Sequence, residues 1–207
     1  NISNDTTLFM LLNRKAGKFI LLSMFDDKTG KRWDETVKPI TMSEQYPLLY
    51  NRWVKNREAE VEKLSGGRLG YVHVEGMNDE SFRNVYEKAL GKYGNKEALI
   101  VDTRFNGGGW LHDDLATFLS GKKYMSFEPR GQKLGDEPQF KWMKPSVVLI
   151  SEGNYSDAHM FPFVYKELNI GKLVGMPCPG TGTAVWWETL MDPSIVFGIP
   201  EVGMKSL

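Results

Sequence analysis

The sequence holds a single cysteine, Cys178, so no intrachain disulfide can form and zinc sites built on paired cysteines are excluded. It has no excess of either charge. The 26 Lys and Arg residues balance 26 Asp and Glu, which removes the electrostatic footprint of a nucleic-acid binder or a membrane-surface protein and leaves a peptide or small-molecule partner open. No apolar run approaches the ~20 residues of a membrane-spanning helix. The opening Asn1-Ile2-Ser3-Asn4-Asp5 lacks a charged n-region, an apolar signal core and a starting Met, so the expectation is a natural N-terminus elsewhere, with any targeting segment upstream. Internal repeats and low-complexity tracts are missing too. What is present is ordinary globular material: 207 residues, 41% hydrophobic and 25% charged, enough for one core of fair size and a small appendage.

The first part of the chain alternates apolar runs with turn signals. Leu8 to Asn13, Phe19 to Phe25 and Trp33 to Ile40 read as strand-like, and Thr29-Gly30 between two of them reads as a hairpin turn. About 40 residues bury too little surface to stand alone, so residues 1–42 are expected to be the back half of a small β-rich module. Ser43 and Glu44 begin a charged helical stretch that Ser65-Gly66-Gly67 stops, which makes residues 43–66 a linker helix. From residue 67 to 207 strand and helix patterns alternate, the signature of an α/β domain. Ala98-Leu99-Ile100-Val101-Asp102 and Val147-Val148-Leu149-Ile150 are nearly continuous apolar runs, as expected of strands buried on both faces.

Each of those two strands ends in a turn where chemistry can gather, because ligands in α/β sheets collect outside the carboxyl ends of strands. After the first, Asn106-Gly107-Gly108-Gly109 can turn backbone N–H groups outward toward an anion or a developing oxyanion. After the second, Ser156 stands where a strand has ended and a helix begins, in the positive end of the helix field and beside the N–H of Asp157. Taken alone, that turn is more often occupied by a serine that merely caps its helix. A nucleophilic serine also needs a base, and the sequence offers His73, His112 and His159. Each has an ordinary role open to it: His73 in the core, His112 at a helix start, His159 on a helix surface. Asp113-Asp114 reads as a solvated helix N-terminus rather than a metal pair. Of Trp186-Trp187, at most one can line a pocket, since neighbours on a strand point to opposite faces. Cys178 has no activating base nearby in sequence.

The runs Gly67-Arg68-Leu69-Gly70-Tyr71-Val72-His73-Val74, Leu99 to Gly109 and Asn154-Tyr155-Ser156-Asp157-Ala158-His159-Met160-Phe161-Pro162, followed by Ile170-Gly171-Lys172-Leu173-Val174-Gly175, resemble tricorn-like members of the C-terminal-processing (tail-specific) serine peptidases. The resemblance covers most of the chain from Gly67 onward. It implies a crotonase-like core of the ClpP/crotonase type, with residues 1–42 as the C-terminal half of a PDZ-like domain. It implies Ser156 as the catalytic nucleophile and an oxyanion hole from the N–H groups of Asp157 and of Gly108 or Gly109. A substrate strand is expected to pair with the edge near Ala184 to Glu188, with Thr183, Ala184 and Val185 as the substrate-binding residues. The resemblance implies no cofactor, no catalytic metal, a peptide or unfolded-protein substrate and a homo-oligomer. Its compartment would be cytoplasmic, or periplasmic if a signal peptide has been removed. The processing branch places a lysine about 25 residues after the serine. Thr181 stands there, which points to the tricorn-like Ser/His/Ser/Glu tetrad, whose histidine and glutamate would lie outside residues 1–207. Two other readings stay open: a non-catalytic peptide- or ligand-binding module on the same fold, and an esterase-like or thioester-processing enzyme.

Overall fold

The computed structural model describes residues 6–206, so residues 1–5 and 207 of the expected modules lie outside the described part. The chain divides into two compact units between Lys55 and Asn56. In the first, α1 (Leu8–Leu12) is a single helical turn started by Thr7, whose hydroxyl accepts the Met10 N–H at 3.4 Å. The strand-like run expected from Leu8 is therefore a helix. Its five apolar residues neither alternate nor include a β-branched side chain, and the cap decides the conformation. β1 (Ile20–Phe25) and β2 (Arg32–Val37) form the expected antiparallel hairpin, Ile20 opposite Val37. Its turn is closed by the Asp26 carboxylate, which accepts the Lys28 N–H and the Thr29 hydroxyl.

α2 (Met42–Ser65) runs through the division between the units. A reciprocal capping box starts it: the Glu44 N–H donates to Thr41 Oγ1, and the Thr41 N–H donates to Glu44 Oε2 at 2.8 Å. At its end the Gly67 N–H reaches back to the Glu62 carbonyl, a glycine stop of the kind expected there. Within the second unit Glu58 on this helix holds Lys88 and Lys92, and Glu62 holds Lys96.

The second unit continues with β3 (Leu69–His73), α3 (Asp79–Glu87), β4 (Ala98–Asp102) and α4 (His112–Leu119). A short hairpin follows, β5 (Met125–Phe127) with β6 (Gly135–Glu137), and then β7 (Ser146–Ile150), α5 (Asp157–Glu167) and β8 (Lys172–Gly175). The last elements are the paired strands β9 (Ala184–Thr189) and β10 (Val196–Val202). β3, β4, β7 and β8 make one parallel sheet in the order β3-β4-β7-β8. β4 and β7 are neighbours in it, Val101 opposite Val148 and Asp102 opposite Leu149. Because the sheet is parallel, the turns that follow these two strands open at the same end.

Their apolar runs are fully buried on one face only: Ala98 and Ile100 of β4 and Val147, Leu149 and Ile150 of β7 stay partly exposed, so the burial on both faces expected for them is met only in part. Val72, Leu99, Val101 and Val148 are fully enclosed, and Val85, Leu115, Phe161 and Tyr165 from the helices close over them. A fully buried aromatic of this kind contributes about 3–5 kcal/mol. That core supports the two turns.

Candidate active site

Ser156 occupies the N-cap position of α5, but its side chain makes no capping bond. Its backbone stands at φ 53, ψ −123, a conformation that costs a non-glycine residue about 1–3 kcal/mol and persists only where the surroundings enforce it. The enforcement is visible. The Ser156 N–H donates to Thr181 Oγ1 at 3.1 Å, and the Tyr155 N–H donates to the carbonyl of Asn106, across in the glycine loop, at 3.0 Å. Beneath them Asn154, fully buried, accepts the Ser151 N–H and donates to Thr103 Oγ1 and to the Ala158 carbonyl.

The glycine loop is pinned in the same manner by a second buried asparagine. Asn106 donates from Nδ2 to the Val74 carbonyl at 2.9 Å and accepts the Gly108 N–H on Oδ1 at 2.8 Å. Gly108, at φ 99, lies directly against the serine turn: a Cβ there would stand 2.7 Å from Ser156 Cβ and 3.2 Å from Asp157 N. Gly109, at φ 138, passes so close to β3's extension that a Cβ would stand 2.1 Å from the Met77 carbonyl oxygen. Two of the three loop residues therefore admit glycine alone, for reasons of contact as well as conformation.

Of the two glycines expected to offer the loop donor, Gly108 has its N–H occupied by Asn106 Oδ1. Among the described residues the N–H groups of Gly109 and Asp157 meet no hydrogen-bond acceptor. Gly108 supplies the close approach, and Gly109 carries the unpaired donor.

None of the three histidines hydrogen-bonds Ser156 Oγ among the described residues. His73 Nε2 meets the Arg104 carbonyl at 3.1 Å, and burial holds its pKa below the usual histidine range. His112 Nδ1 lies 2.5 Å from Asp157 Oδ1. His159 sits one turn into α5, its backbone N–H on the Ser156 carbonyl at 2.8 Å. Its Nδ1 is buried without a partner among the described residues.

At the root of the glycine loop, Asp102 is fully buried and takes hydrogen bonds from Arg104 and from Tyr71 Oη. Burial alone would raise its pKa, but these bonds outweigh it and hold the carboxyl below its usual range. Burial raises the Cys178 thiol, which keeps it protonated and a poor nucleophile.

A cavity of about 500 Å³ is lined by His159, Met160, Phe163, Thr183 and Met204 among others. Of the residues expected to bind substrate, Thr183 lines this cavity, while Ala184 and Val185 open β9. β9 pairs only with β10 among the described residues, which leaves its other edge unpaired. Those residues contain no helix long and apolar enough to cross a membrane and no group of His, Cys, Asp or Glu able to hold a metal ion.

Two contributors escaped the sequence reading. One is Thr181 as a support for the serine turn. The other is the Asp157 carboxylate, whose partners stand 45 and 46 residues away. The only sequence signal for either was position: one next to the serine, the other where a lysine would stand in the processing branch.

A parallel α/β sheet that brings a strained, uncapped serine against a glycine loop with unpaired N–H groups is the type of site that serine hydrolases build. The chain belongs to peptidase family S41, a family of serine peptidases, whose model matches residues 68–201. It is 33% identical over 146 residues to the tricorn protease homolog of Saccharolobus solfataricus, a match that covers 70% of this chain and 13% of that protein. It is 31% identical over 166 residues to tricorn protease homolog 1 of Streptomyces coelicolor, covering 80% of this chain and 15% of that one. The crystal structure of the tricorn protease superposes with a TM-score of 0.75 at 24% identity, covering 97% of this chain and 19% of that structure. That last likeness establishes the fold. The chain thus spans less than a fifth of each of these proteins.

Proposed function

We propose that this chain carries the nucleophile and the oxyanion hole of a serine peptidase that cleaves peptide bonds through an acyl-enzyme on Ser156. The observation that carries the reading is the conformation of Ser156. A serine whose task was to cap α5 would hold an extended backbone and bond the helix N–H groups. This one does neither, and it stands within van der Waals reach of a glycine loop. Ser156 Oγ attacks the peptide carbonyl. The oxyanion that forms is received by the N–H groups of Asp157 and Gly109, with Gly108 keeping the loop near enough. The amine leaves, and water then releases the acyl group.

A peptide substrate adds as a strand to the unpaired edge of β9, at Ala184 and Val185, with a side chain directed to the cavity beside Thr183. Residues 67–207 belong to a crotonase-like core, residues 43–66 to a linker helix, and residues 1–42 to the C-terminal half of a PDZ-like domain, which the β1–β2 hairpin supports. The base and its acidic partner come from outside residues 1–207, since no histidine here meets Ser156 Oγ. That same observation favours the second reading, a peptide-binding module without catalysis. Peptide hydrolysis by the full-length protein and by its Ser156→Ala variant separates them. The peptidase reading expects turnover in the first and none in the second, with equal melting temperatures. Equal turnover in both, or none in either, favours the binding module.

A further inference from the structure

We propose that the side chain of Asp157, acting with His112, is a latch that holds the glycine loop at the nucleophile, a positioning role distinct from that of its backbone N–H. α4 begins directly after the glycine loop, and its N-cap residue Leu111 provides no side-chain capping bond. The carboxylate of Asp157 takes that place from another helix. Its Oδ2 accepts the Leu111 N–H at 2.6 Å and the His112 N–H at 3.0 Å, and its Oδ1 meets His112 Nδ1 at 2.5 Å. Asp157 is 1% exposed and Leu111 4%, so water cannot take over these bonds.

One residue thereby joins the starts of α4 and α5. Its main chain lies on the serine side, 3.2 Å from where a Gly108 Cβ would be, and its side chain grips the far end of the loop that carries Gly109. Any drift of the loop changes the spacing of the two N–H donors, and transition-state stabilisation depends steeply on that spacing. The His112 ring rests edge-on against Trp110, with ring centres 5.3 Å apart, so the latch includes the last residues of the loop.

This inference rests on the reading of Ser156 as nucleophile, but it can be tested without turnover. In the full-length protein, hydrogen exchange in the segment 106–112 is compared with that in the strands 98–102 and 146–150, for Asp157→Ala, Asp157→Asn and His112→Ala. On the same proteins kcat and KM for a peptide are measured separately. The expectation for Asp157→Ala is about tenfold or more faster exchange in 106–112 with the strands unchanged, and a fall in kcat of about 100-fold with KM within about twofold. Asp157→Asn keeps an oxygen that accepts both N–H groups and recovers most of the protection and at least about tenfold in kcat. His112→Ala keeps the carboxylate and falls between the two. The inference is overturned if Asp157→Ala leaves exchange in 106–112 unchanged. It is equally overturned if loop and strands lose protection together in both Asp157→Asn and His112→Ala, which would make the residue a general structural support. A wild-type protein without peptidase activity counts against Ser156 as nucleophile, and the exchange comparison then decides the latch by itself.

Discussion

The turns after β4 and β7 and the β9–β10 ribbon lie in the same unit but are held in opposite ways. The turns are tied by buried side chains: Asn106, Asn154 and Asp157 are at most 1% exposed, and each makes bonds that cross between segments. The ribbon rests mainly on its own ladder. Trp186 and Trp187 are 65% and 69% exposed, and on the partner strand Ile199, opposite Trp186, is 44% exposed and Phe197, opposite Glu188, 41%. The difference teaches where precision is stored in this chain. Nucleophile and oxyanion donors are set by internal bonds, and the wall proposed to receive substrate is left with apolar surface on both faces.

Four changes sharpen or break this contrast. The largest effect on stability is expected from Phe161→Ala, which empties the core under α5. It should cost about 3–5 kcal/mol in urea unfolding, and a loss near zero would mean that the turns are not supported by the core at all. Thr181→Val is next. It keeps the volume and removes the acceptor of the Ser156 N–H, so kcat should fall about tenfold and stability by about 1 kcal/mol, as read by steady-state kinetics and melting.

Acid provides a third probe of the buried anchors. The pKa of His73 is lowered by burial, so its contribution is fully present above its unfolded value of about 6.5 and is lost as pH falls below that. Asp102, also lowered, adds a further loss as pH falls below about 4. Melting temperature should therefore decline from pH 7 toward pH 5, and His73→Gln should flatten that decline. An unchanged slope would remove His73 from the account. The smallest effect belongs to the ribbon. Trp186→Ala should move stability by no more than about 0.5 kcal/mol, and a larger loss would show that the ribbon is packed more firmly than its exposure indicates.

The two turns were legible in the sequence because the strands before them are unbroken apolar runs. Leu99 to Val101 and Val147 to Ile150 mark central strands, although Ile100, Val147, Leu149 and Ile150 are only partly covered, and a parallel sheet then places their exits together. The β1–β2 hairpin was legible from Thr29-Gly30. Other features depended on information that spacing does not carry. A single capping hydroxyl on Thr7 converts the apolar run from Leu8 into a helical turn. β5 and β6 have three residues each, too few for an alternation to be read. That Gly109 and not Gly108 keeps a free N–H turns on one side-chain bond from Asn106. The strain at Ser156 is a tertiary property, enforced from Thr181 and the glycine loop rather than by the residues beside it in the chain.

The central claim is that Ser156 is held as a nucleophile and not as a cap. It is tested most directly by incubating the full-length protein with a fluorophosphonate and mapping the adduct by peptide mass spectrometry. The account predicts a single phosphonylated residue, Ser156, with labelling abolished in Ser156→Ala while the melting temperature stays within about 2 °C, the shift that well under 1 kcal/mol would cause in a domain of this size. A full-length protein that hydrolyses peptides but is labelled elsewhere, or whose Ser156→Ala variant keeps its label, would contradict it.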